Sequence, residues 1–345
     1  MNLPDGYTFT SITDYTLISN LLRDNYVEST NNTFRFNYKP EFIEWYLTIN
    51  TSISIGIKDT CDNIIGFICG RLIYIMLYGK EIKSAEINFL CLDKKIRNNK
   101  LCPILINEIT KEFNKIGIYE AIYTSEHLYN NNNMHIIANV SYYIRLLNIK
   151  KLVDIEYIKT STSIDQLNKL YKIILPKSKL KLIKLTNINV EKCFELYNTY
   201  YKQFDCYDVF TLDIFEKIFI SEHINTYILI NNDTILDFIS YSIIDVSVVK
   251  KTNTKYFNTI DSYMYYYTNV SNNLKIMIEL LLPILKENSI DTFKALNIMD
   301  NTNEIFSDLK FINEKSNSYY YLFSNNILNF NNNVFNNNKF AKILF

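Results

Sequence analysis

The sequence predicts an α/β protein built from a duplicated unit, and three observations predict it. Hydrophobic residues make up 48% of the 345 residues, including 28 Tyr and 22 Phe, enough for a packed core. Apolar spacing switches repeatedly between the helical and the extended period. The order of the resulting elements then occurs twice along the chain. At roughly 150 residues per domain, this length fits two domains.

In the first half, Ile12, Tyr15, Ile18, Leu21 and Leu22 recur at helical spacing and predict a helix over 12–26, with Ser11 as its cap. Pro40 opens a short helix over 40–47. Residues 53–58 and 64–76 read as strands joined by a turn at Asp62-Asn63, and 85–92 as a third strand. Leu101, Ile104, Leu105, Ile109 and Phe113 define the next helix, with Pro103 in its first turn and Gly117 at its end. A strand over 121–124 follows, then a surface loop at Asn130–Asn133. The weak pattern over 160–185, with Pro176, marks the junction of halves 1–165 and 166–345. The second half repeats the series: helices over 190–204 and 212–220, strands over 226–230, 235–243 and 263–267, a helix over 274–287 and a strand over 292–296. Asn231-Asn232-Asp233 turns the first strand pair.

Composition excludes several classes. The hydrophobic content rules out a mostly disordered chain. With 36 basic and 36 acidic residues the formal charge is zero, against a general nucleic-acid binder. Only six glycines occur, where average usage gives about 24, and all lie between Gly6 and Gly117. Abundant Asn is the expected substitute at left-handed backbone positions. The six cysteines form no CxxC pair and read as buried, reduced thiols. His127, His135 and His223 are too scattered for a zinc site, so no metal is expected. Met1–Gly6 has no signal-peptide pattern, and the most apolar run, 64–77, carries Arg71 and is too short for a bilayer. A soluble, cytoplasmic protein is expected.

Three features carry chemistry. The strand ending at Leu92 enters Asp93-Lys94-Lys95-Ile96-Arg97-Asn98-Asn99-Lys100 and then a helix. Free N–H groups at a helix start, ringed by four cations, suit a pyrophosphate; a solvated charged turn is the other reading. If the strand Glu86-Ile87-Asn88-Phe89-Leu90-Cys91-Leu92 splays at Phe89-Leu90, two N–H groups face a ligand and suit an acyl-transfer oxyanion. An ordinary buried strand is the alternative. The chain ends Phe340-Ala341-Lys342-Ile343-Leu344-Phe345, an apolar terminus whose burial carries the carboxylate inward. A desolvated carboxylate is a better proton acceptor, so Phe345 is a candidate general base; simple docking of the tail is the other reading.

From about Leu3 to Phe345 the sequence resembles the glycylpeptide N-tetradecanoyltransferase (N-myristoyltransferase) family. Glu86–Cys91 matches its most specific signature, followed by Lys94-Lys95-Ile96-Arg97. Asn25-Tyr26-Val27-Glu28, Phe34-Arg35-Phe36 through Phe42, Ala121–Thr124, Arg145 with Leu147-Asn148, Tyr200–Phe204, Asp237–Ser240 and Lys310-Phe311 match further blocks. The resemblance implies two tandem acetyltransferase-like halves forming a saddle-shaped mixed sheet flanked by helices. It implies transfer of myristate from myristoyl-CoA, a co-substrate, to the α-amine of an N-terminal glycine. By this likeness Phe89 and Leu90 polarise the thioester carbonyl and the Phe345 carboxylate is the base. Leu92, Lys94, Arg97, Asn98, Asn99, Lys100, Leu101, Cys102 and Pro103 hold acyl-CoA. Tyr26, Val27, Glu28, Phe34, Phe36, Asn88, Thr124, Ser240 and Leu344 form the peptide site. The partners implied are myristoyl-CoA and Gly-initial peptides or proteins, with no nucleic acid, no transmembrane segment and a monomeric chain. A related N-acyltransferase of other chain length, or an inactive homologue that only binds these ligands, is the alternative.

The sequence departs from the family pattern in places. Asp93 stands at a His position, and Asn98-Asn99-Lys100 replaces Ser-Lys-Arg, one cation fewer. Ile144 replaces the His before Arg145. Ile312–Asn317 replaces a glycine-rich run after Lys310-Phe311, and Ser29-Thr30-Asn31 replaces an acidic one that attracts basic peptides. The family's extension over bound acyl-CoA is missing before Leu3, which implies weaker retention of that ligand.

Overall fold

The computed structural model describes residues 3–26, 33–129, 133–249, 254–324 and 334–344. Residues 1–137, 319–334 and 344–345 form one compact unit; 138–318 and 335–343 form a second. The division is discontinuous, unlike the expected 1–165 and 166–345.

The first unit opens with β1 (Thr8–Thr10), α1 (Tyr15–Asn25), β2 (Phe34–Asn37) and α2 (Pro40–Thr48). It continues with β3 (Ser52–Lys58), β4 (Ile64–Leu77), β5 (Lys80–Leu92), a 3-10 turn (Lys94–Asn99), α3 (Leu101–Lys115) and β6 (Glu120–Ser125). Antiparallel β1-β3-β4-β5 is closed by β6, parallel to β5 through Ala85–Ala121 and Glu86–Ile122. The cap of α1 is Asp14, which accepts from Thr16 N at 2.9 Å, not the expected Ser11. Both are good capping residues, and Asp14 stands directly before the first helical residue. Ile104, Leu105, Ile109 and Phe113 of α3 bury against Ile55, Ile57, Ile65 and Ile68, as their helical spacing predicts.

Four elements over 134–184 went unread in the sequence: β7 (Met134–Leu146), α4 (Ile149–Asp154), α5 (Ile164–Leu170) and β8 (Lys181–Lys184). The expected loop at Asn130–Asn133 lies mostly outside the described residues.

The second unit continues with α6 (Val190–Tyr201), β9 (Cys206–Asp208), α7 (Leu212–Phe219), β10 (Ile224–Asn231), β11 (Thr234–Val248), β12 (Asn258–Tyr267), α8 (Leu274–Glu287) and β13 (Thr292–Leu296). Then come α9 (Asn303–Asp308), β14 (Ile312–Ser324), a 3-10 turn (Asn337–Lys339) and β15 (Phe340–Ala341). Its sheet copies the first: antiparallel β8-β10-β11-β12, closed by β13 parallel to β12.

The last strand of each repeat is exchanged. β7 follows β6 in the chain but pairs antiparallel with β13, Leu146 opposite Thr292. β14 follows β13 but pairs antiparallel with β6, Tyr320 opposite Thr124. Each unit is therefore completed by a strand from the other repeat, which is why the units are discontinuous in sequence. Among the described residues, eleven other than glycine have positive φ, and only Asn232 and Asn272 are Asn. Lys310 (φ 62°), just before the stretch where the family pattern has glycines, and Lys315 (φ 58°), within it, take left-handed positions.

Candidate active site

The expected splay of β5 is present as a bulge. Phe67 pairs with Cys91 and Cys69 with Asn88, so Phe89 and Leu90 together oppose the single residue between Phe67 and Cys69. The register of β5 with β6 comprises only Ala85 and Glu86, just before the bulge. Phe89 has φ 55°, a left-handed conformation that costs a residue with a side chain about 1–2 kcal/mol. Its fully buried ring offsets this. It meets Tyr38 at 5.0 Å, Tyr46 at 5.5 Å and Tyr26 at 5.9 Å, all edge-on. Such contacts contribute about 0.5–1.5 kcal/mol each beyond burial.

A buried polar network underlies the bulge. Glu86 is fully buried and accepts from Arg71 Nε at 3.0 Å and from the Tyr46 hydroxyl at 3.0 Å. The Arg71 guanidinium also lies 4.7 Å over the Tyr46 ring. Burial, reinforced by the Glu86 charge, pushes the Tyr46 phenol well above its ordinary value, so it stays protonated. Asn88 hydrogen bonds to the Tyr46 hydroxyl, and its Oδ1 accepts from Phe89 N at 3.1 Å. Arg71, Glu86, Tyr46 and Asn88 thus reach the bulge amide in sequence. Only Asn88 among them was expected at the site. Burial also raises the Tyr26 phenol, a hydrogen bond from the Phe89 backbone opposing it.

The basic loop follows within the same unit. Asp93 caps the 3-10 turn, its carboxylate accepting from Lys95 N at 2.8 Å. Asn25, missed as a site residue, ties the loop to α1: its Oδ1 accepts from Lys94 N at 3.0 Å and its carbonyl from Arg97 Nη2 at 2.5 Å. Asn99 donates to the Tyr7 hydroxyl at 3.2 Å. Lys100 is left-handed (φ 55°) and its side chain does not cap α3. Lys95, Arg97, Asn98, Asn99, Lys100 and Pro103 are exposed, whereas Leu92 and Leu101 are buried in the core beneath. Gly66 lets β4 approach here, since a Cβ would stand 2.8 Å from Leu92 Cδ2. Cys102 packs at the edge of that core, and burial raises its thiol pKa. The arrangement offers main-chain donors and cations to an anion at a helix start.

The remaining expected residues separate. Phe34 and Phe36 are half-buried on β2, with Phe36 edge-on to Tyr38 at 6.2 Å; Thr124 is exposed on β6. Leu344 is buried, and its N–H donates to the Tyr320 hydroxyl at 3.3 Å. Val27, Glu28 and Phe345 lie outside the described residues. Ser240 does not present itself to a peptide. It is fully buried in the second unit, and its hydroxyl donates to the Tyr266 carbonyl at 2.6 Å, bridging an irregularity between β11 and β12. Sequence position alone gave no sign of that partner. Among the described residues, no group of three or more His, Cys, Asp or Glu is placed to hold a metal, and no helix is long and apolar enough to cross a membrane.

The chain shares its fold, at TM-score 0.53 and 12% identity over 92% of its length and 72% of the other, with a GCN5-related N-acetyltransferase from Anabaena variabilis. That likeness is one of fold, and it spans both units. Residues 1–133 match the family model described as Myristoyl-CoA:protein N-myristoyltransferase, N-terminal domain, and 153–343 match its C-terminal domain. The glycylpeptide N-tetradecanoyltransferase of Plasmodium falciparum is 33% identical over 340 residues, covering 93% of this chain and 80% of that one. The Saccharomyces cerevisiae N-myristoyltransferase, solved with bound myristoyl-CoA, matches at TM-score 0.88 and 25% identity, covering all of this chain and 91% of that one. The chain belongs to the N-myristoyltransferase family.

Proposed function

We propose that this chain transfers the myristoyl group of myristoyl-CoA to the α-amine of an N-terminal glycine on acceptor peptides or proteins. The observation that carries this reading is the left-handed bulge at Phe89, eleven residues before Lys100, the cap residue of α3, whose side chain makes no capping bond to the first amides of that helix.

Arg97, Lys100 and Lys94, with the first amides of α3, take the CoA phosphates; Asn98 and Asn99 add neutral donors. Leu92, Leu101, Cys102 and Pro103 form the apolar floor of that cradle. The thioester oxygen replaces Asn88 Oδ1 at the Phe89 amide and meets the Leu90 amide beside it. Two fixed donors then stabilise the charge that develops on that oxygen. Tyr26, Phe34 and Phe36, with Val27 and Glu28, line the peptide's path. The terminal carboxylate of Phe345 accepts a proton from the glycine ammonium. Asn88, released from Phe89, and Thr124 hold the resulting amine. The amine attacks the carbonyl carbon, the C–N bond forms, the C–S bond breaks, and CoA leaves as a thiolate that picks up a proton. The Leu344–Tyr320 hydrogen bond supports this use of the chain end, because Tyr320 pairs with Thr124.

Amide donors and one carboxylate complete the chemistry, so the reading assigns it no metal and no second chain. Six free thiols support action in the reducing cytoplasm. The test is incubation with myristoyl-CoA and a Gly-initial peptide, read by mass spectrometry. Myristoyl amide is expected on that peptide and not on its N-acetylated form. No product at micromolar enzyme would refute the reading; faster turnover of a short acyl-CoA would redirect it to another chain length.

A further inference from the structure

Between Asp165 and Glu191 the chain carries six lysines and no acidic residue, although its overall formal charge is zero. Lys169, Lys172, Lys177, Lys179, Lys181 and Lys184 are all exposed, and among the described residues none of them pairs with a carboxylate. Lys184 instead donates to Asn225 Oδ1 at 2.8 Å and lies 5.1 Å over the Tyr227 ring. The same stretch exposes aliphatic side chains. Leu170 closes α5 at 53% exposure, and Ile174 (75%) and Leu175 (64%) follow in 171–180, which holds no helix or strand. Single exposed aliphatics are ordinary, but these three stand within six residues, flanked by Lys169, Lys172, Lys177 and Lys179.

The segment is fixed from below. Tyr171 N donates to the Leu167 carbonyl at 2.8 Å. The Tyr171 carbonyl accepts from Nη2 of the buried Arg145 at 2.8 Å, and that guanidinium lies 5.2 Å over the Tyr171 ring. Further on, β8 pairs antiparallel with β10, Ile183 opposite Ile228. A cleft of about 490 Å³ lies against the end of α8; Ile173, Leu175 and Pro283 line it with Lys172, Lys286 and one carboxylate, Glu287. All of these residues belong to the second unit.

A charge run alone would suit water. Aliphatic groups held in water among lysines suit an interface where hydrocarbon lies beside anionic headgroups. A nucleic acid would engage the lysines and leave Leu170, Ile174 and Leu175 in water. A bilayer takes up both, because lysine stems can lie along hydrocarbon while their ammonium groups stay at the headgroups.

We propose that this face, Lys169–Lys184, docks the chain on a membrane surface rich in anionic lipid. The docking is peripheral: Leu170, Ile174 and Leu175 enter the acyl boundary, and the lysines face the headgroups. It uses residues of the second unit only and does not rest on the reaction proposed above.

The test is flotation of the full chain with vesicles of phosphatidylcholine alone and of phosphatidylcholine with about one third phosphatidylserine. Binding is expected to the serine-containing vesicles and not to the neutral ones, and it should weaken as salt rises. Lys177→Gln with Lys179→Gln should weaken it about 25-fold, about fivefold per cation, and Ile174→Ser with Leu175→Ser on the order of 100-fold. These four side chains are exposed, so the melting temperature should hold. Arg97→Glu with Lys100→Glu, in the first unit, should leave flotation unchanged. A wild-type chain that stays off serine-containing vesicles at physiological salt would overturn the proposal. So would undiminished flotation of the Ile174→Ser, Leu175→Ser chain, or lysine-dependent binding of single-stranded RNA tighter than of vesicles, which would assign the face to nucleic acid.

Discussion

The segments before α3 and before α8 occupy the same place in two copies of one unit, yet they treat negative charge in opposite ways. Before α8, the fully buried Asp237 of β11 accepts from Val270 N at 2.7 Å and Ser271 N at 3.1 Å, and bonds the Ser271 hydroxyl. Asn269 Oδ1 takes Leu274 N, the first amide of the helix, at 2.9 Å. This cradle holds a carboxylate of its own. Before α3 the segment is longer, presents four cations, and starts its helix on a left-handed Lys100 with no side-chain cap. At the close approach below it β4 carries Gly66, which has no side chain to fill the space. One of the two segments is satisfied internally; the other, on the function proposed above, takes its anion from a ligand.

That contrast can be broken from either side. Arg97→Glu with Lys100→Glu reverses two charges at the first cradle. Calorimetry should find the Kd for myristoyl-CoA raised about 100-fold, with the melting temperature nearly unchanged because both side chains are exposed. Unchanged affinity would mean the cations are only a solvated turn. Asp237→Ala should do the reverse. Leaving buried donors unpaired costs on the order of 2 kcal/mol, about 4–8 °C in Tm, while myristoyl-CoA affinity stays within about twofold.

A finer test is Asp93→Asn. It keeps an oxygen to cap the turn over Lys95 N but removes a negative charge at the mouth of the cradle. Affinity for myristoyl-CoA should improve about threefold at low salt, and the gain should fade at high salt. The smallest effect concerns thiols. Cys61 is exposed and should react readily with an alkylating reagent, whereas burial raises the Cys102 thiol and slows it. Bound myristoyl-CoA should slow Cys102 further and leave Cys61 alone; equal protection of both would remove Cys102 from the cradle.

Local chemistry made much of this legible in the sequence. The α8 and β13 bounds agree with the apolar spacing, and β3 to β6 differ from it mainly at their ends, because period, proline position and turn residues are local signals. The exchange of β7 and β14 was not legible, since pairing between strands far apart in the chain leaves no mark on their own pattern. The site divides in the same way. The bulge and the loop lie within fifteen consecutive residues, and the family signature marks them. Ser240 sits in a matching block, but its value is the bond to Tyr266 across a strand irregularity, which sequence does not record.

The central claim is that main-chain amides at Phe89 and Leu90 polarise a thioester held by the first unit alone. Isotope-edited infrared spectroscopy of myristoyl-CoA carrying a 13C-labelled thioester carbonyl tests it most directly. Binding to the wild-type chain should move the carbonyl stretch to lower frequency, and Asp237→Ala should leave that shift intact. A bound thioester whose carbonyl absorbs at its frequency in free solution would contradict the account.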